Sequence, residues 1–155
     1  MYVQQFLLAF LAAFGFALVF QSPTKTLLIA ALNAGIGWVV YKFFSQITGS
    51  IYIGTFASAF FISIISDFCA KIFKFPAIIF IVPGVINLCP GEAVYNAMKF
   101  FIENQTDMVL ASFYKAMAIA GAIAFGILLS SSFSTSLRSF RSRKVKRTDF
   151  TRSKK

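Results

Sequence analysis

Two Pro-Gly pairs, Pro83-Gly84 and Pro90-Gly91, stand seven residues apart near the middle of this chain. Glu92 follows the second pair directly, and Asn87, Tyr95 and Asn96 lie close by. Each Pro removes a backbone donor and crowds the carbonyl one turn back. Each Gly lowers the cost of leaving helical geometry. A straight helix through residues 76–102 is therefore not expected. In a bilayer, irregular backbone survives only inside protein or beside water. Broken helices at mid-membrane depth give transporters free backbone groups and helix ends for binding. In such a setting Asn87, Tyr95 and Asn96 offer neutral hydrogen-bonding groups, and Glu92 offers a carboxylate that can pair with a cation or carry a proton. Intramembrane acids are usually functional. The plainer alternative is a kinked structural helix, or a surface loop that leaves Glu92 in water.

A second pattern is weaker. Thr55, Ala59, Ser63 and Asp67 recur every four residues, with Ser66 close by. On a helix these lie along one side, opposite a surface of Phe, Ile and Ala. Such a stripe fits either close packing against another helix or a wet path. Asp67, followed by Lys71 and Lys74, reads as a water-facing end. The usual catalytic and metal-binding groups are scarce. There is no His, and the two cysteines, Cys69 and Cys89, sit among apolar residues. Reduced, buried thiols are expected there. No metal, no cofactor and no enzymatic activity are expected.

These residues must be positioned by apolar elements. Of the 155 residues, 58% are hydrophobic, 21 of them are Phe, and only 13% are charged. Soluble domains carry about 25% charged residues, so this chain has too few charges to cover a water-facing surface. The net charge is nevertheless +10. Residues 138–155 hold nine basic residues and one acid, which is +8; residues 1–137 hold six Lys and four acids, which is +2. A nearly neutral apolar body is followed by a cationic tail.

The body divides into five apolar blocks, at residues 6–20, 27–44, 51–66 (extending towards Lys74), 76–102 and 108–129. A spanning helix needs about 20 mostly apolar residues. The composition predicts an all-α, polytopic membrane protein of about five transmembrane helices, the fourth broken by the Pro-Gly pairs. The first block reads as a retained span, because residues 1–5 lack the positive charge of a signal peptide. In the last block, small residues spaced by four (Ala116, Ala120, Ala124; Ala118, Ala122, Gly126, Ser130) suit close helix packing. Lys115 reads as a side chain reaching the headgroups.

Residues 1–130 form the transmembrane domain on this reading. Residues 131–155 form a basic tail, loosely held or disordered by composition. Lys and Arg favour the cytoplasmic side. With five spans and the tail inside, twelve such residues lie inside and three outside; with four spans, ten lie inside and five outside. Five spans with a cytoplasmic C-terminus is the better fit. Basic residues beside a last span bind anionic lipid rather than nucleic acid.

The fourth block also resembles a known family. Lys74, Pro76, Pro90-Gly91, Tyr95 and Ala97-Met98 resemble the pattern of the threonine/serine exporter family, and more closely the small subunit of its two-component form. The front of the chain is similar as well, through Phe14-Gly15-Phe16-Ala17-Leu18-Val19-Phe20, Pro23 and Gly35-Ile36-Gly37-Trp38. The resemblance covers about residues 1–130. It departs at Asn87, where the family often has Pro, at Cys89, where a larger apolar residue is usual, and at Glu92, where a small residue is usual. It implies export of small hydroxy amino acids across a bacterial inner membrane, driven by an ion gradient. It also implies a larger membrane subunit carrying a cytoplasmic hydrolase-like region. The path candidates are then Pro83, Gly84, Asn87, Pro90, Gly91, Glu92, Tyr95 and Asn96, with Ser63 and Asp67 as weaker ones.

The residues leave two other classes open. One is a structural or assembly subunit with no path of its own; the other is a small pore-forming protein. A homo-oligomer is also compatible with the small-residue faces.

Overall fold

Small residues decide which faces turn inward. Ala9, Ala13 and Ala17 stand one turn apart on the first helix and are all buried, whereas Leu7, Leu8, Leu11 and Val19 are exposed. The second helix repeats the pattern, with Ala30, Ala31 and Ala34 buried and Leu28, Leu32 and Ile36 outside. Among lipid tails, large apolar residues gain nothing by turning inward, while small ones let helices approach closely. The outside of the bundle is accordingly Leu, Ile and Phe.

The computed structural model describes the backbone of residues 2–152 and the side chains of residues 2–134. Its elements are all helical: α1 (Tyr2–Val19), α2 (Thr24–Thr48), α3 (Ile51–Phe73), α4 (Ile78–Ile86), α5 (Gly91–Ile102) and α6 (Thr106–Arg152). Pro23 sits at the N-cap of α2, so it separates the first two helices as expected. Gly49 (φ 64°) closes α2 with a left-handed cap, and Lys74 (φ 57°) does the same for α3. The third block continues past Ser66 to Phe73, as a full span of 23 residues.

Helices α1, α2, α3 and the Thr106–Ser134 part of α6 are each long and apolar enough to cross a bilayer, and α4 with α5 forms a further candidate span bent by 52°. Helix directions are fixed by which residues meet. Asn33 on α2 meets Ile62 and Ser66 on α3, while Gly54 at the start of α3 lies against the Tyr41 carbonyl near the end of α2. These two helices are antiparallel. Helices α3 and α6 are parallel neighbours, since Gly126 packs on Phe56 and Ala59, and Ser134, further along, meets Lys71. Two adjacent parallel spans require the chain between them to cross back. The bent α4–α5 segment makes that return, which gives five crossings.

Helical backbone continues through residues 130–136, where composition pointed to a loose segment. Ser130 is fully buried there, and Ser134 accepts a hydrogen bond from Lys71 at 3.4 Å. The basic tail's side chains, and with them its lipid contacts, lie outside the described residues.

Candidate functional site

The two Pro-Gly pairs do different things. Pro83 is the sixth of nine residues in α4 and does not break it. It removes one intrahelical bond, the one its N–H would have made to the Ile79 carbonyl. Gly84 contributes closeness instead of flexibility: a Cβ there would lie 2.7 Å from Cγ2 of Ile62. The expectation that Pro83-Gly84 opens the backbone is thus corrected.

The break falls four residues later. Tight turns close the end of α4, with Leu88 N–H donating to Val85 at 2.8 Å and Cys89 N–H to Ile86 at 3.2 Å. Pro90 then caps α5 in a non-helical conformation (φ −76°, ψ 50°). Asn87 ties the break to α1 by donating from Nδ2 to the Ala9 carbonyl at 2.9 Å. Glu92 stands in the first turn of α5. A carboxylate is favoured there by the positive end of the helix dipole.

A cavity of about 210 Å³ opens at this break. Its volume is that of about seven waters in the liquid. Helix α2 contributes Trp38 and Tyr41, α3 contributes Thr55, the break contributes Asn87, Pro90 and Glu92, and α6 contributes Lys115 and Ile119. Trp38 and Tyr41 pack with ring centroids 5.2 Å apart. Glu92 and Lys115 bring opposite charges to one chamber, and among the described residues no ion pair within 4.0 Å joins them. Both are therefore available to a guest. One carboxylate, one ammonium group, an amide and a hydroxyl form a complementary set for a small zwitterion.

Three sequence candidates meet in this chamber: Asn87, Pro90 and Glu92. Gly91 adjoins it with open space around its Cα. Tyr95 is 68% exposed on the outer side of α5, beside Met98, Ile102 and the Lys99–Glu103 pair. Asn96 is half-buried and does not line the chamber. Ser63 is buried at mid-helix. Asp67 lines a second cavity, of about 470 Å³, at the other end of α3 with Lys71, Lys74, Ser131 and Ser134.

Two residues gain roles that sequence reasoning missed. Lys115 lines the chamber, a role its place near the start of α6 did not suggest. Asn33, 2% exposed, donates to the Ile62 carbonyl at 3.2 Å and the Ser66 hydroxyl at 2.9 Å. A lone amide and a lone cation inside long apolar runs were the available signals. Among the described residues, no cluster of three or more His, Cys, Asp or Glu is placed to hold a metal. Cys69 and Cys89 are unpaired as expected, but Cys69 is half-buried and Cys89 exposed, so neither is buried.

A helical bundle with a bent span and a charged chamber has the form of a transporter, and comparison with known families gives the kind. A family model described as "Threonine/Serine exporter, ThrE" matches residues 5–133. The chain belongs to the threonine/serine exporter family. The match runs from the first turn of α1 through the membrane part of α6, so every residue lining the chamber falls within it. No curated protein and no solved structure matches this exporter-family chain.

Proposed function

We propose that this chain is the small membrane subunit of a secondary transporter that exports threonine- and serine-like amino acids. It works with a larger membrane subunit of the same family in a bacterial inner membrane, with its basic tail cytoplasmic. The observation that carries this reading is the chamber at the α4–α5 break. Glu92 there receives the substrate ammonium, and Lys115 receives the carboxylate. Asn87 and Thr55 add neutral hydrogen-bonding groups. The partner and the ion gradient are what the resemblance to the two-component form implies. Lys and Arg distribution supports the orientation.

The test is amino-acid efflux from native cells loaded with Thr- or Ser-containing dipeptides, with this chain present or deleted. Slower release on deletion, restored by the wild-type chain, supports the proposal. Unchanged release with an intact complex favours a structural subunit. Ion leak from the purified chain alone in liposomes favours a pore.

A further inference from the structure

The seam between α3 and α6 runs from one cavity to the other. Thr55 lines the first cavity and Asp67 the second. Ala59 and Ser63 lie between them on the same side of α3, at 0% and 1% exposure. Helix α6 closes over them. A Cβ at Gly126 would lie 3.0 Å from Cβ of Ala59 and 2.8 Å from the Phe56 carbonyl oxygen. One turn beyond Gly126, Ser130 falls opposite Ser63, because the two helices are parallel. Two turns beyond Gly126, Ser134 lines the second cavity with Asp67 and Lys71.

Ser63 and Ser130 are both buried, and neither hydroxyl has a hydrogen-bond partner. That is unusual for serine inside an apolar helix. The hydroxyl normally bonds back to the carbonyl one turn earlier, as Thr55 does to Ile51 at 2.8 Å. Ser66, three residues from Ser63 and so its neighbour on the helix surface, accepts from Asn33 Nδ2. Asn33 Oδ1 is left without a donor as well. A line of unsatisfied oxygens thus crosses the bundle at mid-depth, where no lipid can satisfy it. Groups of this kind are costly unless a guest completes them.

We propose that the α3–α6 seam is the translocation route of this chain. Ser63 and Ser130 are its mid-depth hydrogen-bonding station for a small zwitterionic solute, and the Ala59–Gly126 contact is its closed gate. The station itself carries no charge, which suits a solute whose own charges cancel. Each mouth offers both signs, Glu92 with Lys115 at one end and Asp67 with Lys71 and Lys74 at the other. The identity of the solute rests on the exporter reading; the existence of the route does not.

The experiment uses the full chain in native membranes with Cys69→Ser and Cys89→Ser as background. Ser63→Cys and Ser130→Cys are near-isosteric and keep the packing. Leu129→Cys, on the exposed apolar face of the same turn as Ser130, is the control. A charged methanethiosulfonate reagent requires water and thiolate, so it reports aqueous access. Both seam variants should react at least about tenfold faster than the control, and threonine should slow them. In parallel, Ser63→Ala with Ser130→Ala should lower threonine efflux about five- to tenfold at equal abundance. Labelling no faster than the Leu129→Cys control overturns the route. Fast labelling without protection by threonine or serine overturns the station as their site. If deletion of the wild-type chain leaves efflux unchanged while labelling stays fast, the exporter reading falls and the route stands.

Discussion

Asn87, at the end of α4, donates from Nδ2 to the carbonyl oxygen of Ala9 on α1 at 2.9 Å. One amide therefore fixes the broken span to a helix remote in sequence. It also forms part of the wall between the chamber and a shallower cleft beside Gln5 and Lys42. Asn87→Leu keeps the branched outline of the side chain and removes the donor. The expected loss is about 1 kcal/mol, read as a modest fall in thermal midpoint in detergent. An unchanged midpoint would show that the bond does not hold the break in place.

Glu92→Gln removes the chamber's acid among the described residues while keeping its shape. Efflux should fall at least about tenfold with little change in folded protein, as for a functional acid in a membrane. Wild-type efflux at equal membrane abundance would sink the role assigned to Glu92.

Lys115→Gln should act on the opposite end of the substrate. The expected change is a rise in the internal concentration needed for half-maximal efflux, by about tenfold for one lost charge-assisted hydrogen bond. Reversing both charges, with Glu92→Lys and Lys115→Glu, should not restore export, because the carboxylate would lose its place at the amino end of α5.

The glycines divide into two groups. A Cβ on Gly84 meets Ile62, and one on Gly126 meets Ala59 and backbone, whereas Gly15 and Gly121 have nothing within 4 Å. Gly84→Ala and Gly126→Ala should each destabilise the fold by about 1–3 kcal/mol through overpacking. Gly15→Ala and Gly121→Ala should be neutral or stabilise it by up to about 1 kcal/mol, since Ala favours the helix. Thermal midpoints of the four variants test this ordering.

Removing residues 138–155 deletes nine of the 15 basic residues. The fraction of chains inserted in the native orientation should fall, measured by protease protection. Efflux per correctly inserted chain should stay near wild type.

Much of the architecture was legible because lipid imposes a simple rule. Runs of about 20 apolar residues become helices, and rows such as Ala9, Ala13 and Ala17 mark the buried side. The break was legible as a segment but not as a residue. Pro83 and Pro90 look alike in the sequence, yet one sits inside α4 and the other caps α5. Tertiary contact separates them, because Gly84 is pinned against Ile62 and Gly91 is not. Glu92 was visible as a lone acid in an irregular segment. Lys115 was not, since its neighbours in the chamber come from α2, α3 and the break. The Thr55–Ala59–Ser63–Asp67 stripe was visible, but its two ends acquire meaning only once each opens into a different cavity.

Ile62 has a mechanical consequence. Its side chain fills notches at Gly37 on α2 and Gly84 on α4 at once, and its carbonyl holds Asn33. Asn87 fastens the end of α4 to α1. Four helices are thereby pinned into one rigid block, with Ile62 as the bolt. Helix α6 joins the same core from the other side: Ile119 and Ile123 pack with Ile62, Ala59 and Leu88, and Gly126 lets α6 approach Ala59 closely. Opening the seam therefore means parting Ile119 and Ile123 from the residue that also locks α2 to α4, so the seam and the four-helix block share one keystone.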